Sequence, residues 1–498
     1  METAPARDVL LTSPCSADSN DNTPEQRASV SLFITMVVVL VSPMLFGFSI
    51  SFTSPTQATM EGDSEAGVIA PSWLIPFTIN SEKWYASLLN IGAVVGAFTG
   101  SYLSDRFGRK NAISSSAVPY LIAWAGTALT NNAAMLIFFR LLIGLSVGMG
   151  SAIAPVYIGE ISTTGLRGSL GAANQLSVTF GIFAANLLGT YAFILDVDGE
   201  PFSQWRNLAW FAAAFSLILA GTVLLPESPS WLAKKGDREG VEASLRRLRA
   251  GDSKPEVDAL ILANMCPTTP GGTLVPTPLM AYSKSLVIGI GLCVLQQFSG
   301  VNAVIMYTSK ICAQAGVQDA NLAAMISMGF QVILTGVSCL LMERAGRRFL
   351  MLFACSSMAT SHYVLGYYFS AQGHLWAPSW LALLALFVFI LGFSLGMGPI
   401  PWLILAEIFP TEIRGTASSM ATAANWTCSF IVTLLFLPLQ DTLGKGGTFL
   451  MFGIICTFGF FFVACLVPET QGKTVDEVLK ALGGIRPARS PAIALSSY

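Results

Sequence analysis

Charged residues are scarce in this chain. Asp, Glu, Lys and Arg make up only 11% of its 498 residues, hydrophobic residues make up 53%, and the mean hydropathy is +0.62. A soluble globular protein is about one-quarter charged. Because so few polar side chains cannot cover the water-facing surface of a molecule this size, lipid must cover much of it. The composition excludes an ordinary soluble domain and indicates a membrane protein.

Histidine is nearly absent and cysteine is never closely paired, which argues against a metal centre. His362 and His374 are the only histidines, and none of the nine cysteines forms a CxxC pair. We interpret the cysteines as small buried hydrophobic side chains. The net charge of −2 gives no field that would attract nucleic acid. The sequence shows no nucleophile or acid–base set, so neither enzyme activity nor a cofactor is expected.

About twelve apolar runs of roughly 20 residues recur along the chain, each long enough to cross a bilayer as a helix. The predicted spans of this all-α membrane protein lie near residues 30–53, 84–103, 111–130, 134–158, 172–194, 207–226, 284–309, 319–342, 349–370, 379–405, 416–438 and 447–467. An even number of spans places both termini on one side. All but five of the 27 Lys and Arg residues lie on that side, which the positive-inside rule makes cytoplasmic. The five exceptions are Lys83, Arg140, Arg206, Lys310 and Lys445.

The polar stretches between these runs define the predicted domains. Residues 1–29 show no cleavable signal peptide, and their Ser, Asp, Asn and Pro content predicts a disordered cytoplasmic tail. Residues 227–283 interleave Lys and Arg with leucines, which predicts amphipathic cytoplasmic linker helices; a solvated linker is favoured over a lipid-binding surface. The rest comprises an N-terminal six-helix bundle (30–226), a C-terminal six-helix bundle (284–467) and a cytoplasmic tail (468–498).

Three motifs occur twice, in the same order and at nearly the same offset. The repeated pairs begin at Asp105 and Glu343, at Glu160 and Glu407, and at Pro226 and Pro468, with offsets of 238, 247 and 242 residues. The chain therefore consists of two parallel halves. Two such halves with a central site between them are typical of rocking transporters, whereas a pore or a membrane enzyme gives no reason for the pattern.

The repeated motifs place charged side chains where several spans reach the cytoplasmic side. Ion pairs among them are predicted to close that side while a cavity faces outward, and to break when it opens inward. An exposed pair is worth only ~0–1 kcal/mol, but partly buried clusters are worth more and would bias a two-state equilibrium. A purely topological role is the less favoured alternative, because the motifs match between the halves. The predicted cytoplasmic gate comprises Asp105, Arg106, Arg109, Glu160, Arg167, Glu227, Glu343, Arg344, Arg347, Arg348, Glu407, Arg414 and Glu469.

Further motifs accompany the repeats. They are Arg140-x-x-x-Gly144, Pro155-Val-Tyr-Ile-Gly-Glu160, Gln296-Gln-Phe-Ser-Gly-Val-Asn302 and Gly398-Pro-Ile-Pro-Trp402. With them the chain resembles the sugar porter family of the major facilitator superfamily over nearly its full length. It looks most like the animal intracellular-type glucose facilitators and related plant monosaccharide carriers. The resemblance implies a major facilitator fold and transport of a hexose such as glucose.

Three amides crowd the seventh predicted span. A sugar is an uncharged polyol, and Gln and Asn side chains both donate and accept hydrogen bonds. Burying Gln296, Gln297 and Asn302 in a membrane is costly unless they find partners. Gly300 allows a local break in the helix, which would let these amides converge on a cavity. Holding helices together is the alternative role for them.

The family resemblance extends the predicted sugar site beyond these three amides. It assigns substrate contacts to the positions of Gln175, Gln296, Gln297, Asn302 and Trp402, and less directly to Gln331 and Asn425. The Trp402 ring can pack on the apolar face of a sugar while its N–H donates. The prolines at 399 and 401 predict a bend in the tenth span. The chain departs from the family pattern at Ser230, Met306, Gln331 and Ser394, so the preferred sugar is left open.

The first span carries no carboxylate. Proton-coupled sugar porters that resemble this chain have an Asp just after Gly-Phe or Gly-Tyr, where this chain has Ser49, and residues 30–59 contain no Asp or Glu. A uniporter working by alternating access is favoured, with a proton-coupled sugar symporter or a carrier of inositol or another polyol as alternatives. A monomer in the plasma membrane is expected, with an endolysosomal or vacuolar membrane as the alternative.

Overall fold

The computed structural model describes residues 28–61, 79–163, 166–191, 204–251, 253–265, 282–371, 378–409, 411–473 and 475–482. Within these ranges the chain is helical almost throughout and contains no β-strand. The predicted N-terminal tail lies outside the described residues up to residue 27, and the C-terminal tail does so from residue 483.

The N-terminal half and the linker supply the first ten helices of the described chain. These are α1 (Val30–Ser51), α2 (Thr53–Glu61), α3 (Ile79–Phe107), α4 (Arg109–Leu129), α5 (Ala133–Ile161), α6 (Arg167–Tyr191), α7 (Gln204–Ala220), α8 (Pro229–Lys234), α9 (Arg238–Leu248) and α10 (Lys254–Met265). The first span runs through α1 into α2, α3 to α7 form the next five, and α8 to α10 lie in the linker.

The C-terminal half follows with interrupted spans. Its helices are α11 (Ser283–Phe298), α12 (Val301–Met306), α13 (Thr308–Gln314), α14 (Ala320–Ala345), α15 (Arg347–Ala371), α16 (Ser379–Gly392), α17 (Ile400–Ile408), α18 (Thr411–Leu466) and α19 (Val475–Ala481). The seventh span comprises α11 to α13, and the tenth comprises α16 and α17. The short α19 packs against α17.

Ten stretches among the described residues are long and apolar enough to cross a membrane. One of them, Thr416–Leu466, has 51 residues, more than twice the ~20 that a bilayer requires. Gly444 interrupts it with non-helical backbone (φ 74°, ψ 164°). The sequence predicts separate spans at 416–438 and 447–467, and the structure joins them through a single glycine kink in α18. With α6 at the predicted fifth span, the described residues supply a helix for each of the twelve predicted spans.

Glycines bring α3 and α5 into close contact. Gly92 and Gly96 on α3 face Gly144 and Gly148 on α5. A Cβ on Gly96 would lie 2.0 Å from the carbonyl oxygen of Leu145, so no larger residue fits. Small residues spaced four apart let membrane helices pack backbone to backbone. This contact aligns the two helices that bring the N-terminal charged motifs together.

Two spans of the C-terminal half are broken near their middle. Gly300, between α11 and α12, is in the left-handed conformation (φ 83°, ψ 8°), which glycine adopts without strain. In the tenth span, Phe393–Met397 forms a π turn ahead of Pro399 and Pro401. The break that Gly300 permits is therefore present, and the bend predicted from the two prolines begins one turn before them.

The two halves contact each other at the end of the bundle opposite the charged motifs, which we call the closed end. The hydroxyls of Ser54 and Ser309 lie 3.0 Å apart. The Nζ of Lys310 lies 2.9 and 3.2 Å from the two carboxylate oxygens of Glu82, which begins α3. These contacts join the first and second spans to the seventh.

Candidate functional site

Four buried amides form one hydrogen-bonded network in the C-terminal half, which we call the amide network. Nδ2 of Asn425 donates to Oε1 of Gln296 at 2.9 Å, and Nε2 of Gln297 donates to Oδ1 of Asn425 at 3.0 Å. Nδ2 of Asn302 donates to Oε1 of Gln297 at 2.8 Å. None of the four residues is more than 7% exposed. The break at Gly300 separates α11 from α12, and the amides on either side of it meet one another.

Gln296 also completes the backbone of the tenth span. Pro401 has no N–H, so the carbonyl of Met397, four residues earlier, loses its helical partner. Nε2 of Gln296 donates to that carbonyl at 2.7 Å and to the carbonyl of Gly398 at 2.9 Å. Both N–H groups of Gln296 are therefore used by the protein in this state. Its side-chain oxygen accepts from Asn425 and keeps a second lone pair for a ligand.

Ser338 satisfies the carbonyl that Pro399, the other proline of the tenth span, leaves without a helical donor. Pro399 deprives the carbonyl of Leu395 of its helical donor. Oγ of Ser338, on α14, donates to this carbonyl at 3.2 Å. Side chains from two neighbouring helices thus satisfy the carbonyls that the prolines expose, as membrane helices require.

A line of polar side chains continues the amide network into the N-terminal half. Nδ2 of Asn302 donates to Oγ of Ser429 at 2.6 Å, and Oγ of Ser429 donates to Oδ1 of Asn90 at 2.8 Å. Nδ2 of Asn90 donates to Oγ1 of Thr433 at 3.0 Å. Asn90 belongs to α3 and is fully buried. Ser429 and Thr433 lie one turn apart on α18, so this face of the helix bridges the two halves.

The remaining predicted substrate residues do not join the amide network. Gln331 is 2% exposed, and its side-chain oxygen has no partner among the described residues. Ser394, in the π turn, is equally buried and its hydroxyl is also unpaired. A buried unpaired polar atom costs ~1–3 kcal/mol, which a ligand hydroxyl would relieve. Trp402 is 39% exposed and Gln175 is half-buried.

The charged motifs of the N-terminal half converge on Arg109, which is 5% exposed. Its Nε and Nη2 donate to the two carboxylate oxygens of Glu160 at 2.9 and 3.0 Å. Its Nη1 donates to the carbonyl of Ser104 at 3.0 Å and to Asp105 at 3.3 Å. Glu227 accepts from the backbone N–H of Arg109 at 2.8 Å. A charge this deeply buried depends on the partners of its guanidinium group.

The C-terminal half repeats this arrangement around Arg347. Nη2 of Arg347 donates to Glu407 at 3.2 Å, and Nη1 donates to the carbonyl of Met342 at 3.0 Å. Glu469 accepts from the backbone N–H groups of Arg347 and Arg348 at 3.0 and 3.1 Å. Arg347, Glu407 and Glu469 thus take the places of Arg109, Glu160 and Glu227.

These ion pairs join helices within one half. The sequence analysis predicts that ion pairs among these residues close the cytoplasmic side. In this state Arg109–Glu160 joins helix ends of the N-terminal half, and Arg347–Glu407 joins helix ends of the C-terminal half. Arg106 and Arg344 are exposed. Three residues of the predicted gate have side chains outside the described part of the chain, namely Arg167, Glu343 and Arg414.

The two equivalent carboxylates differ in acidity. Burial raises the pKa of Glu227 above its ordinary value, and hydrogen bonds from three backbone N–H groups offset only part of that rise. Burial acts in the same direction on Glu469, but four backbone N–H donors outweigh it and leave the pKa of Glu469 below its ordinary value. Hydrogen bonds to the charged form are the usual cause of such a lowering.

Arg140, on α5, is a fully buried guanidinium with no carboxylate partner among the described residues. Its Nη2 donates to Oγ1 of Thr53 at 2.8 Å, and its Cζ lies 4.9 Å from the centre of the Tyr85 ring. A desolvated cation over an aromatic ring gains about 2 kcal/mol. Arg140 is therefore held by a hydroxyl and a ring.

Ser49, in the first span, uses its hydroxyl within its own helix. It donates to the carbonyl of Leu45 at 2.6 Å.

Sequence reasoning missed several polar residues that the structure places between the halves. Asn90 stands alone in its span, so a search for clustered amides passes over it. Ser429 and Thr433 are small hydroxyl residues, which are common in membrane helices. Glu82 and Lys310 are 228 residues apart, and no local pattern pairs them. Treating every amide inside a span as a candidate would have found Asn90.

Known proteins similar to this chain are sugar transporters. Residues 34–482 match the family described as "Sugar (and other) transporter". The chain is 36% identical to Sugar transporter ERD6-like 6 of Arabidopsis thaliana over 463 residues, covering 91% of this chain and 90% of that relative. It is also 36% identical to Facilitated trehalose transporter Tret1 of Bombyx mori over 492 residues, covering 95% and 92%.

Solved structures of one bacterial transporter share the architecture. The proton:xylose symporter XylE bound to 6-bromo-6-deoxy-D-glucose matches with a TM-score of 0.72 and 26% identity, over 91% of this chain and 98% of that one. The inward open conformation of XylE from E. coli matches with a TM-score of 0.73 and 25% identity, over 91% and 99%.

Two repeated six-helix halves, joined by buried polar side chains, define a membrane carrier of the major facilitator fold. The match over residues 34–482 makes the particular family plain. This chain belongs to the sugar transporter family, whose members are transporters and not enzymes.

Proposed function

We propose that this protein carries a hexose such as glucose across a membrane by facilitated diffusion. The observation that supports this most directly is the line of buried amides from Gln296 to Asn90, which reaches from one half into the other. Such groups suit a neutral polyol because each both donates and accepts. Modest affinity serves a carrier, and millimolar binding amounts to only about −4 kcal/mol.

Transport proceeds by alternating access, in which the two halves rock about the amide network. The closed end faces outward, and the charged motifs mark the cytoplasmic end together with both termini. The charged clusters stiffen each half at that end and so gate it. The protein acts as a monomer in the plasma membrane, with an endolysosomal or vacuolar membrane as the alternative.

Uptake of radiolabelled glucose into proteoliposomes tests this proposal. Gln297→Ala removes the donor to Asn425 and the acceptor for Asn302, and should lower kcat/KM about tenfold or more, as the loss of two buried hydrogen bonds implies. Asn186→Ala is the matched control, because that buried amide bonds only within the N-terminal half. Absence of glucose flux in the wild type, or an equal loss in both variants, would contradict the proposal.

Uniport is the second part of the proposal. Its support is the absence of Asp and Glu from residues 30–59 and the lack of a carboxylate partner for Arg140 among the described residues. We expect a protonophore to leave the initial rate of glucose uptake unchanged. Accumulation against a glucose gradient, driven by an imposed pH gradient, would instead identify a proton symporter.

Trehalose is a second candidate substrate. The relative from Bombyx mori, which aligns with 95% of this chain, is named a facilitated trehalose transporter. Competition of unlabelled trehalose, xylose and inositol with labelled glucose ranks these alternatives. Direct flux of labelled trehalose then decides whether the site accepts a disaccharide. Inhibition by trehalose without trehalose flux would favour the hexose.

A further inference from the structure

We infer that Asn90 is a positioning residue that links the amide network to the closed end. This inference rests on the proposed alternating access. Asn90 is the amide that the N-terminal half contributes to the polar line described above, and it is fully buried. The sequence pattern does not single it out. Its contacts on α18 are with Ser429 and Thr433 of the opposite half.

The direction of each hydrogen bond along this line follows from the chemistry of the groups. Nδ2 of Asn302 only donates, so Oγ of Ser429 accepts from it and gives its own proton to Oδ1 of Asn90. Nδ2 of Asn90 donates to Oγ1 of Thr433, and the Thr433 hydroxyl gives its proton to the carbonyl of Ser429 at 2.8 Å. Each hydroxyl proton in the line is therefore committed, and the orientation of Asn90 depends on Asn302.

A bound sugar competes for this line. Asn302 has two N–H groups, which donate to Oε1 of Gln297 and to Oγ of Ser429. A sugar oxygen that accepts from Asn302 must displace one of these bonds. Displacing the bond to Ser429 frees that hydroxyl to rotate away from Asn90, which weakens the contact between the halves. By reciprocity, weakening that contact also favours sugar binding.

Asn90 occupies the part of α3 where loss of this contact would affect the closed end. It lies about two turns from Glu82, which pairs with Lys310. Between them on α3, the ring of Trp84 lies 6.5 Å from the ring of Phe430 on α18. The contact of these two rings between α3 and α18 is apolar and does not fix how the helices are aligned along their length. The hydrogen bonds of Asn90 to Ser429 and Thr433 are directional, so they hold α3 and α18 in one register.

The reactivity of a cysteine at the closed end tests the inference without any sugar. Ser54 is 3% exposed there, and Ser54→Cys reports opening when treated with a water-soluble maleimide. The protein without this substitution corrects for native cysteines. In the Ser54→Cys background, Asn90→Ala should raise the labelling rate about tenfold, because two buried hydrogen bonds between the halves are lost. Asn186→Ala, which removes a buried amide bonded within one half, should change it less than twofold.

Two further variants keep the test decisive. Thr433→Val removes the acceptor for Asn90 and the bond to the Ser429 carbonyl within α18, so one bond between the halves is lost. It should raise labelling by less than Asn90→Ala, and it replaces that variant in the test if Asn90→Ala does not fold. Asn302→Ala should raise labelling, and combining it with Asn90→Ala should add little, because both act through Ser429. Unchanged labelling in Asn90→Ala or Thr433→Val, or fully additive effects, overturns the inference. Raised labelling in Asn90→Ala, together with no glucose flux in the wild type, would instead count against the proposed function alone.

Discussion

Gln296 serves two spans at once. Its two N–H groups satisfy the carbonyls of Met397 and Gly398, next to the prolines of the tenth span, while its oxygen accepts from Asn425. In a bilayer an unpaired carbonyl has no water to turn to, so these bonds are worth more than their number suggests. At the scale of one residue, the same amide thus belongs both to the proposed sugar site and to the break in the helix beside it.

Replacing Gln296 should cost stability as well as transport. Gln296→Met keeps the volume and leaves the carbonyl of Met397 unpaired, so we expect a loss of about 1–3 kcal/mol in the free energy of unfolding. Ser338→Ala removes a single, longer bond to Leu395 and should cost about 1 kcal/mol or less. Thermal unfolding in detergent compares the two. A larger loss in Ser338→Ala would contradict this account of the tenth span.

The two repeated glutamates should make opposite contributions to acid stability. The lowered pKa of Glu469 means that its stabilisation is present above the unfolded value and is lost as pH falls through its folded pKa. The wild type should therefore lose stability below about pH 4.3, the ordinary glutamate value, and Glu469→Gln should flatten that part of the curve.

Glu227 provides the matched control for this pH dependence. Its raised pKa means that its contribution is present at low pH and is lost as pH rises through the folded value. Glu227→Gln should leave stability at neutral pH unchanged or improved. Melting temperatures of both variants and the wild type, measured from about pH 3 to pH 7, check the signs. Identical curves for the two variants would show that the difference in their N–H donors has no effect.

Breaks within helices distinguish the C-terminal half at the scale of the element. Gly300 turns the chain into the left-handed region between α11 and α12, so Gln297 and Asn302, five residues apart, come within 2.8 Å. The Phe452 ring lies against the glycine. A continuous helix would leave these two amides on different faces, because five residues span 500° of rotation at about 100° each.

Gly300→Ala should disturb this break. A non-glycine residue in left-handed backbone costs ~1–2 kcal/mol, and the new Cβ would lie 3.2 Å from atoms of Phe452. Gly336→Ala is the control, because its Cβ meets nothing within 4 Å in helical α14, where alanine is favoured by up to ~1 kcal/mol. We expect lower melting temperature and glucose flux for Gly300→Ala only. The reverse order would show that the break is not needed.

The sequence predicts where the helices of the C-terminal half break, but not which side chains satisfy the broken backbone. Gly300 was a visible signal because glycine among three amides permits a break. The bend in the tenth span begins before Pro399, because a missing N–H frees a carbonyl four residues earlier. The partners of those carbonyls, Gln296 and Ser338, come from other helices. Such pairing depends on how helices pack, which no local pattern encodes.

At the scale of the whole molecule, the two halves contact each other at the closed end, opposite the charged motifs. The motifs predict ion pairs that close the cytoplasmic end, and among the described side chains the pairs they form lie within each half. Among the described residues, a contact between the halves that involves full charges is Glu82–Lys310, at the closed end. The repeated motifs in the sequence reveal the two halves. The contacts between the halves described above, such as Glu82–Lys310, join residues outside those motifs.

Breaking the Glu82–Lys310 pair should favour opening of the closed end. The Glu82 side chain is 1% exposed and that of Lys310 is 30% exposed, so losing the ion-pair partner costs more at the deeper carboxylate than at the ammonium. Lys310→Gln should therefore shift the ratio of KM for influx to KM for efflux more than Glu82→Gln. The double variant should recover part of the shift. Equal effects of the two single variants, or additive ones, would contradict this assignment.

The linker contacts the N-terminal half, whereas α19 contacts the C-terminal half. Arg249 donates to the carbonyl of Ile161 at 2.8 Å, and the Ser29 hydroxyl donates to the carbonyl of Arg247 at 2.6 Å. In the other half, α19 packs against α17. Fluorophores on the exposed positions Glu239 and Lys480 would therefore ride on separate halves. Energy transfer between them would follow single turnovers of the carrier in real time while every span keeps its natural residues.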